Sequence, residues 1–363
     1  MSDPTHTTSR SERVATWLIV VSLVLLIVVL AGTFIKVPYA VEKPGPATDT
    51  LGRLDDGSPL VRVEGAKTYP TDGALFFTTV RVLGGPERHI SGWEWVAGHL
   101  NPDARVVPEE QIFPKDTSEQ EIEQLNEAQM QGSQKNSIAV GMRSTGTKVP
   151  QRNVVASIAT GLPADGVVRL RDRVTAVDGK PVAHVADIVA AISDRQPGDD
   201  VELGITRGGT AREVTVRTAD LGGDRAGVGI GVEATYDYPY EVRIDAGDVG
   251  GPSAGLMFAL AVRDRLTPGA MTGGQQIAGT GTIDDAGTVG PIGGVAQKMV
   301  GAQDSGATWF LAPDSNCADV VGHVPDGLHV VPIGDFEEAS STVEAIAKGE
   351  TADFPTCEDV VRQ

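Results

Sequence analysis

The chain has 363 residues, 44 of them glycine, and a formal net charge of −19 at pH 7. That length accommodates about two folded domains with additional segments. Such an acidic surface argues against nucleic acid as a partner, because binding to phosphates requires clustered lysine and arginine. The chain has two cysteines, and neither has a cysteine or histidine at metal-ligand spacing, so we expect no metal and no cofactor.

An uncharged apolar segment, residues 14–35, lies near the N-terminus and has the sequence VATWLIVVSLVLLIVVLAGTFI. At about 1.5 Å per residue it extends roughly 33 Å, enough to cross the apolar core of a bilayer. A cleaved signal peptide is the alternative, but the segment is long for one and the following VPYAVEK is a poor cleavage site. We therefore predict an uncleaved transmembrane helix.

The orientation of this helix is not decided by the flanking basic residues, which are equally numerous on both sides. Because the tail of residues 1–13 is short and the rest of the chain is large, the simplest topology keeps the N-terminus in the cytoplasm. The large C-terminal body would then be extracytoplasmic at the cell membrane.

The segments that follow differ in composition. Residues 36–58 are rich in proline and glycine and are predicted to form a linker. Residues 59–147 contain β-branched runs, PLVRVEG and ALFFTTVRVL, which are typical of strands, and then a helix at 116–143 with few apolar positions. From residue 227 onwards strands alternate with helices, which indicates an α/β domain, and residues 349–363 form a C-terminal tail.

Between residues 148 and 222 the pattern changes to short strands, one compact helix and evenly spaced glycine turns. The phrases GLPADGVVRLRDRVTAVDGKPV and QPGDDVELGITRGG resemble a PDZ domain of the bacterial type. The resemblance implies a β-rich domain that binds a C-terminal or extended peptide as an added strand. One departure is Arg171, because the family usually has glycine before Asp172.

The peptide-binding residues of this domain are predicted from the strand NVVASI and the helix that faces it. We expect the peptide to pair near Val154 and Val155, and the helix to contribute Ile188 and Ile192. The alternative, that these four are ordinary core residues, stays open on the sequence alone.

The segment DVGGPSAGLMFAL, residues 248–260, sets two glycines, a proline and a serine before an apolar run. It is not a phosphate-binding loop, because no Lys-Ser/Thr follows the glycines, and GxxxxGK[S/T] occurs nowhere in the chain; we expect no nucleotide. It does fit the GxSxG pattern of an α/β-hydrolase esterase, which would need a strand directly before the serine and either His323 or His329 as base. A plain helix cap is a further alternative.

In a third interpretation Ser253 is a nucleophile and a lysine is its base. Pro252 would open a helix, so that Ser253 lies beside unpaired main-chain N–H groups that can hold an oxyanion. Gly251 would allow backbone and substrate to approach closely. Lys348 lies in a charged helix end, whereas Lys298 lies in one of the least charged parts of the chain, where burial would lower its pKa.

The segment GPSAG and, 45 residues after its serine, a lysine preceded by TGTIDDAGTVGPIGG resemble the proteolytic domain of the Lon family over residues 227–348. The resemblance implies a serine endopeptidase with a catalytic dyad of Ser253 and Lys298. A threonine that supports the lysine in that family falls on Thr280.

Two positions depart from the family pattern. The residue three before the serine, usually acidic, is Gly250 here, so that Asp248 is the nearest acid. The position two after the supporting threonine, often Glu, is Thr282 here.

The resemblance also extends back across the PDZ domain, because EAQMQGSQKNSIAVGMRSTG is similar to the helix that precedes the catalytic-serine half of the Lon domain. The PDZ domain would then be inserted into an α/β protease domain (an α+β Lon-type fold) made of residues 59–147 and 223–348.

The whole chain thus resembles the PDZ-containing, membrane-anchored Lon-like proteases of bacteria. The resemblance implies protein or peptide substrates and allows a homo-oligomer, because Lon domains often assemble into rings. Without an ATPase motif, the expected activity is ATP-independent and the expected substrates are unfolded proteins or flexible tails. The alternative from another class is a catalytically inactive membrane scaffold whose PDZ domain docks partners. In an oxidising compartment Cys317 and Cys357 would pair and attach the C-terminal tail to the body; the alternative is two separate buried thiols.

Overall fold

In the computed structural model of the chain, residues 10–54, 56–115, 117–223 and 225–362 are described. They divide into two compact units, each made of two stretches of chain. The first unit lies within Met1–Pro44 and Val80–Glu123, and the second within Gly45–Thr79 and Gln124–Gln363.

The helices of the described residues are, in chain order, α1 (Arg10–Phe34), α2 (Gly92–Leu100), α3 (Glu119–Arg143), α4 (Val185–Ser193), α5 (Gly255–Leu266), α6 (Val295–Asp304), α7 (Cys317–Val320), α8 (Phe336–Lys348) and α9 (Cys357–Val361), with short 3₁₀ turns at Glu109–Gln111 and Asp314–Asn316.

The strands are β1 (Lys36–Val37), β2 (Tyr39–Asp49), β3 (Val61–Glu64), β4 (Ala74–Leu83), β5 (Ile90–Ser91), β6 (Arg105–Pro108), β7 (Gln151–Ile158), β8 (Arg173–Val177), β9 (Lys180–Pro181), β10 (Asp200–Arg207), β11 (Thr210–Arg217), β12 (Ala219–Asp220), β13 (Ala226–Gly227), β14 (Ile230–Tyr236), β15 (Glu241–Ile244), β16 (Gln276–Gly279), β17 (Thr282–Ile283), β18 (Val289–Gly290), β19 (Trp309–Pro313) and β20 (His329–Ile333).

Helix α1 covers the predicted apolar span. Its segment Val14–Phe34 has a mean hydropathy of 3.0 and is, among the described residues, the one helix apolar and long enough to cross a membrane. Its side chains are exposed almost throughout, so it is not a core helix of the first unit.

The prediction that residues 36–58 form a linker is wrong. The 11 residues Tyr39–Asp49 of this segment form the long strand β2, whose Tyr39–Glu42 pairs antiparallel with β6. The ladder with β6 ends before Pro44 and Pro46, so these prolines lie beside an open edge where no N–H donor is needed. Composition alone therefore gave the wrong structure for a strand that tolerates proline.

The core of the second unit is a parallel sheet in which β20, β19, β16 and β4 are neighbours in that order. Ile277 of β16 pairs with Trp309 on one side and Leu75 on the other. Because β4 precedes the predicted PDZ segment and β16 follows it, that segment is inserted between two parts of one sheet. Helix α5 packs on this sheet, with the Phe258 ring 5.3 Å from that of Phe77.

Strands of the inserted segment form an antiparallel sheet, ordered β11-β10-β8-β7, with its own apolar core. Strand β14, which follows the segment in the chain, pairs with the outer edge of β7 and completes this sheet. Arg171 has a φ of +69°, in the left-handed region that favours glycine. This explains why the family usually has glycine at that position.

A disulfide joins Cys317 at the start of α7 to Cys357 at the start of α9. Both cysteines are buried, in a cluster with Phe310 of β19 and Leu328. The C-terminal tail is thereby attached to the sheet of the second unit.

Removing this disulfide should lower the free energy of unfolding by about 3–4 kcal/mol, because a cross-link between residues 40 apart restricts the unfolded chain. Urea denaturation of wild type and of a Cys317→Ser/Cys357→Ser double variant, each with and without reductant, measures this. Reductant should shift the midpoint of wild type alone. A double variant with the wild-type midpoint would contradict the prediction.

Candidate active site

Ser253 lies in a tight turn directly before α5. The prediction that Pro252 opens this helix is wrong by three residues, because α5 begins at Gly255 and Ala254 is its N-cap. Gly251, with a φ of +82°, reverses the chain just before the proline, in a conformation that favours glycine. The helix itself is buried on every side from Leu256 to Val262, so the turn stands on a fixed support.

The structure brings together the three residues predicted to carry the chemistry. Lys298 Nζ lies 2.8 Å from Ser253 Oγ and 2.9 Å from Thr280 Oγ1. Lys298 is 3% exposed and Thr280 fully buried, whereas Ser253 is half-buried and open on one side. A buried amine is therefore held between two hydroxyls, one of which is accessible.

The threonine hydroxyl also fixes the main chain of the serine. Thr280 Oγ1 donates to the carbonyl oxygen of Ser253 at 3.0 Å, and the N–H of Gly281 donates to the same oxygen at 2.8 Å. Because the single hydroxyl proton of Thr280 is used in this bond, its oxygen serves as an acceptor for Lys298.

The threonine is placed by the sheet and the lysine by helix α6. Thr280 directly follows β16, and its N–H donates to Leu311 O of β19 at 3.1 Å. Lys298 lies in the first turn of α6, and the loop before that helix is clamped by Asn316. The Asn316 side chain accepts from Ile292 N and donates to Ile292 O, each at 2.9 Å.

Helix α3 supports the serine turn through polar residues that the sequence analysis missed. Ser133 Oγ donates to Pro252 O at 2.9 Å, and Ser137 Oγ donates to Gly255 O at 2.8 Å. Asn136 Nδ2 donates to Ile283 O at 3.1 Å. The signal in the sequence was the pair of serines four residues apart, which lie on one side of a helix.

Other predicted site residues lie apart from this cluster. Asp248 is exposed and takes no part in the bonds among the serine, lysine and threonine. Gly251 donates its N–H to Asn126 O at 3.0 Å, so this N–H is not available for an oxyanion, and Pro252 has none.

The esterase interpretation is not supported by this geometry. Strand β15 ends at Ile244, far from Ser253, so no strand leads directly into the serine. His323 is exposed, and the ring of His329 stacks on Trp309 at 4.7 Å. The group within hydrogen-bond distance of the serine hydroxyl is the lysine amine.

Comparison with known protein families agrees with these arrangements. Residues 232–343 match the Lon protease (S16) C-terminal proteolytic domain, and residues 128–218 match a PDZ domain. The chain contains a Lon proteolytic domain and a PDZ domain.

Lon proteases show similarity over part of the chain. Lon protease 1 of Herpetosiphon aurantiacus is 30% identical over 133 residues, 37% of this chain and 16% of that protein. Lon protease 1 of Bacillus subtilis is 31% identical over 116 residues, 30% of this chain and 15% of that protein. The chain thus spans about a sixth of the length of these relatives.

Among solved structures, the PDZ domain of the SdrC-like protein from Listeria monocytogenes is similar, at 21% identity. The matched region covers 22% of this chain and 85% of that domain, with a TM-score of 0.21. The PDZ assignment therefore rests on the family match and not on this structure.

The prediction that a peptide pairs with the PDZ strand NVVASI, near Val154 and Val155, is wrong. Strand β7 pairs with β14 on one side and β8 on the other, which leaves no edge for a peptide. Val155, Ile188 and Ile192 are 1%, 1% and 6% exposed and belong to the core of the domain, and Val154 is half-buried within the sheet. The alternative of ordinary core residues is the one the structure supports.

An open groove with a volume of about 690 Å³ lies between α4 and β14, and residues 128–136 of α3 also line it. Strand β14 is the last strand of its sheet, so its outer edge has no partner strand among the described residues. Val185, Val189 and Ala190 line the groove from α4, and Val232 lines it from β14.

The same groove is bordered by Asp285, which follows Thr280 by five residues in the Lon domain. Its carboxylate is 4% exposed and accepts from Val185 N at 3.0 Å, at the start of α4. His184 Nδ1 lies 3.2 Å away, and Gln151 Nε2 also donates to this carboxylate. One buried carboxylate thus connects the hairpin after Thr280 to the PDZ domain.

Asp285→Ala should lower the free energy of unfolding by about 1–2 kcal/mol, because it leaves the half-buried N–H donors of Val185 and Gln151 without their acceptor. Thermal denaturation checks this against Asp304→Ala, which removes an exposed carboxylate at the end of α6 and should change stability by less than about 0.5 kcal/mol. Equal, small effects of the two substitutions would show that the connection through Asp285 adds no stability.

Proposed function

We propose that the chain is an ATP-independent serine endopeptidase in which Ser253 is the nucleophile and Lys298 the general base. The observation that carries this proposal is the 2.8 Å contact between the buried Lys298 amine and the Ser253 hydroxyl. A serine hydroxyl needs a positioned base, and burial disfavours the ammonium form of an amine, which leaves it able to accept a proton. ATP independence rests on the sequence, which lacks a phosphate-binding loop.

The reaction follows the chemistry of acyl transfer. Lys298 takes the proton of the Ser253 hydroxyl as its oxygen attacks the scissile carbonyl. The protonated lysine then gives this proton to the leaving amine. In the second step the neutral lysine takes a proton from a water molecule, which attacks the acyl-enzyme, and the proton returns to the Ser253 oxygen as the acid is released. Thr280 would hold the Lys298 amine next to Ser253 throughout the reaction, because its hydroxyl oxygen can accept an N–H of Lys298 in both the neutral and the protonated state.

The oxyanion of the tetrahedral intermediate would be held by main-chain donors of the turn. The N–H groups of Ser253 and Ala254 make no hydrogen bond to another described residue. They lie at the positive end of α5, where a negative charge is stabilised.

Hydrolysis of unfolded casein by the detergent-solubilised chain, without ATP, tests the dyad. Ser253→Ala and Lys298→Ala should each lower the rate by about 10³-fold or more, because either change removes the activated nucleophile. His323→Ala, which removes the base of the esterase interpretation, should keep the wild-type rate.

Full activity of Lys298→Ala together with an inactive His323→Ala would move the chain to the hydrolase class. Full activity of Ser253→Ala would exclude the serine as nucleophile.

We further propose that the PDZ domain binds an extended segment of the substrate in the groove between α4 and β14. The open edge of β14 supplies main-chain partners, and the apolar side of α4 supplies side-chain contacts. Val189 is 57% exposed within this groove.

Val189→Asp should raise KM for casein while leaving kcat/KM for a short fluorogenic peptide unchanged, because a short peptide reaches the dyad without the groove. The matched control is Leu170→Asp, which places the same charge at a 60% exposed apolar position of the PDZ domain outside the groove. If both substitutions change KM for casein equally, the groove does not select substrates.

The proposed location is the extracytoplasmic face of a membrane, with α1 as the anchor. The length and hydropathy of Val14–Phe34 support the anchor. The disulfide between Cys317 and Cys357 supports an oxidising compartment for the body.

A further inference from the structure

Helix α2 of the first unit leaves one apolar side of its surface uncovered. The exposed residues are Trp93, Val96, Ala97 and Leu100, and Leu100 is 79% exposed. Their spacing of three, four and seven residues places them within an arc of about 100° on the helix. These four residues are called the α2 stripe below.

The opposite side of α2 is already used for packing. Gly98 is buried so closely that a Cβ there would lie 2.7 Å from Val106 of β6 and 3.2 Å from Val41 of β2. The ring of Trp95 packs edge-on against Tyr39 at 6.2 Å. The α2 stripe is therefore the side left over after the helix has been seated on its own unit.

The α2 stripe begins beside the apolar helix α1. Gly92 N donates to Ile35 O at 2.9 Å, just past the end of α1, and the indole N–H of Trp93 donates to Val29 O at 2.9 Å. A Cβ on Gly32 would lie 2.3 Å from the Trp93 ring. The first residue of the stripe thus lies against the last turns of the proposed membrane span.

We infer that α2 lies in the membrane interface, with its stripe inserted among the lipids next to α1. This inference rests on the proposed membrane anchor. An apolar stripe continuous with a lipid-facing helix faces the same medium, and tryptophan is enriched where acyl chains meet headgroups. His99, the exposed polar residue of α2 that lies outside the stripe, remains toward water.

The attraction is apolar and not electrostatic. The net charge of −19 opposes binding to anionic lipids, so the stripe itself supplies the favourable free energy. A second contact beside α1 fixes the depth and rotation of the anchor at this end, whereas a single helix is free to tilt.

Site-directed spin labelling of the full chain in phosphatidylcholine vesicles tests the inference. Both native cysteines are in the disulfide, so one introduced cysteine carries one label. Leu100→Cys reports on the stripe. His99→Cys is the matched control, because His99 is exposed and adjacent to Leu100 but lies outside the stripe. Leu25→Cys reports on the anchor. The measurement compares collision with oxygen, which concentrates in lipid, and with a water-soluble nickel chelate.

The ratio of oxygen to nickel collision should be higher at Leu100 than at His99 by about threefold or more, and should approach the ratio at Leu25. Equal ratios at Leu100 and His99, with Leu25 in lipid, would overturn the inference and keep the anchor. Low collision with both reagents at Leu100 would overturn it in favour of a second copy of the chain covering the stripe. A water-exposed Leu25 would overturn the anchor and the inference together.

Discussion

The candidate active site depends on the buried amine of Lys298 and on the groups that hold it. Taking an amine out of water is costly unless hydrogen bonds replace those of the solvent, and the hydroxyls of Ser253 and Thr280 supply them. Each partner must therefore be held in place by the fold. The serine turn precedes a helix that is buried from Leu256 to Val262, the threonine follows a central strand, and the loop before the lysine helix is clamped by Asn316.

The groove between α4 and β14 is bordered by Asp284 and Asp285, which follow Thr280 closely in the chain. Asp285 lies five residues after Thr280 and binds the first N–H of α4, and Asn136 of α3 connects Ile283 to the Tyr236 hydroxyl at the end of β14. A segment bound between α4 and β14 would touch elements that also border the β17–β18 hairpin after Thr280. In the proposed function, substrate recognition and cleavage would therefore use neighbouring parts of one compact unit.

The sequence predicted the local parts of this account and missed the non-local ones. Ser253, Lys298 and Thr280 lie in short motifs, and the structure places them in contact. The prediction that a peptide pairs with β7 was wrong because β14, which comes later in the chain than the other strands of this sheet, already pairs with that edge of β7. Asp285 was missed because its partners are 100 or more residues away in the chain.

Covalent labelling of Ser253 tests the central claim most directly, because it reports on the activated hydroxyl without any assumption about substrate. A fluorophosphonate reacts with a serine whose proton is taken by a base, and the mass of the protein counts the adducts. We predict one adduct on Ser253 in wild type, none in Lys298→Ala, and an unchanged rate in His323→Ala. Equal labelling of Ser253 in wild type and Lys298→Ala would contradict the role of the lysine as base.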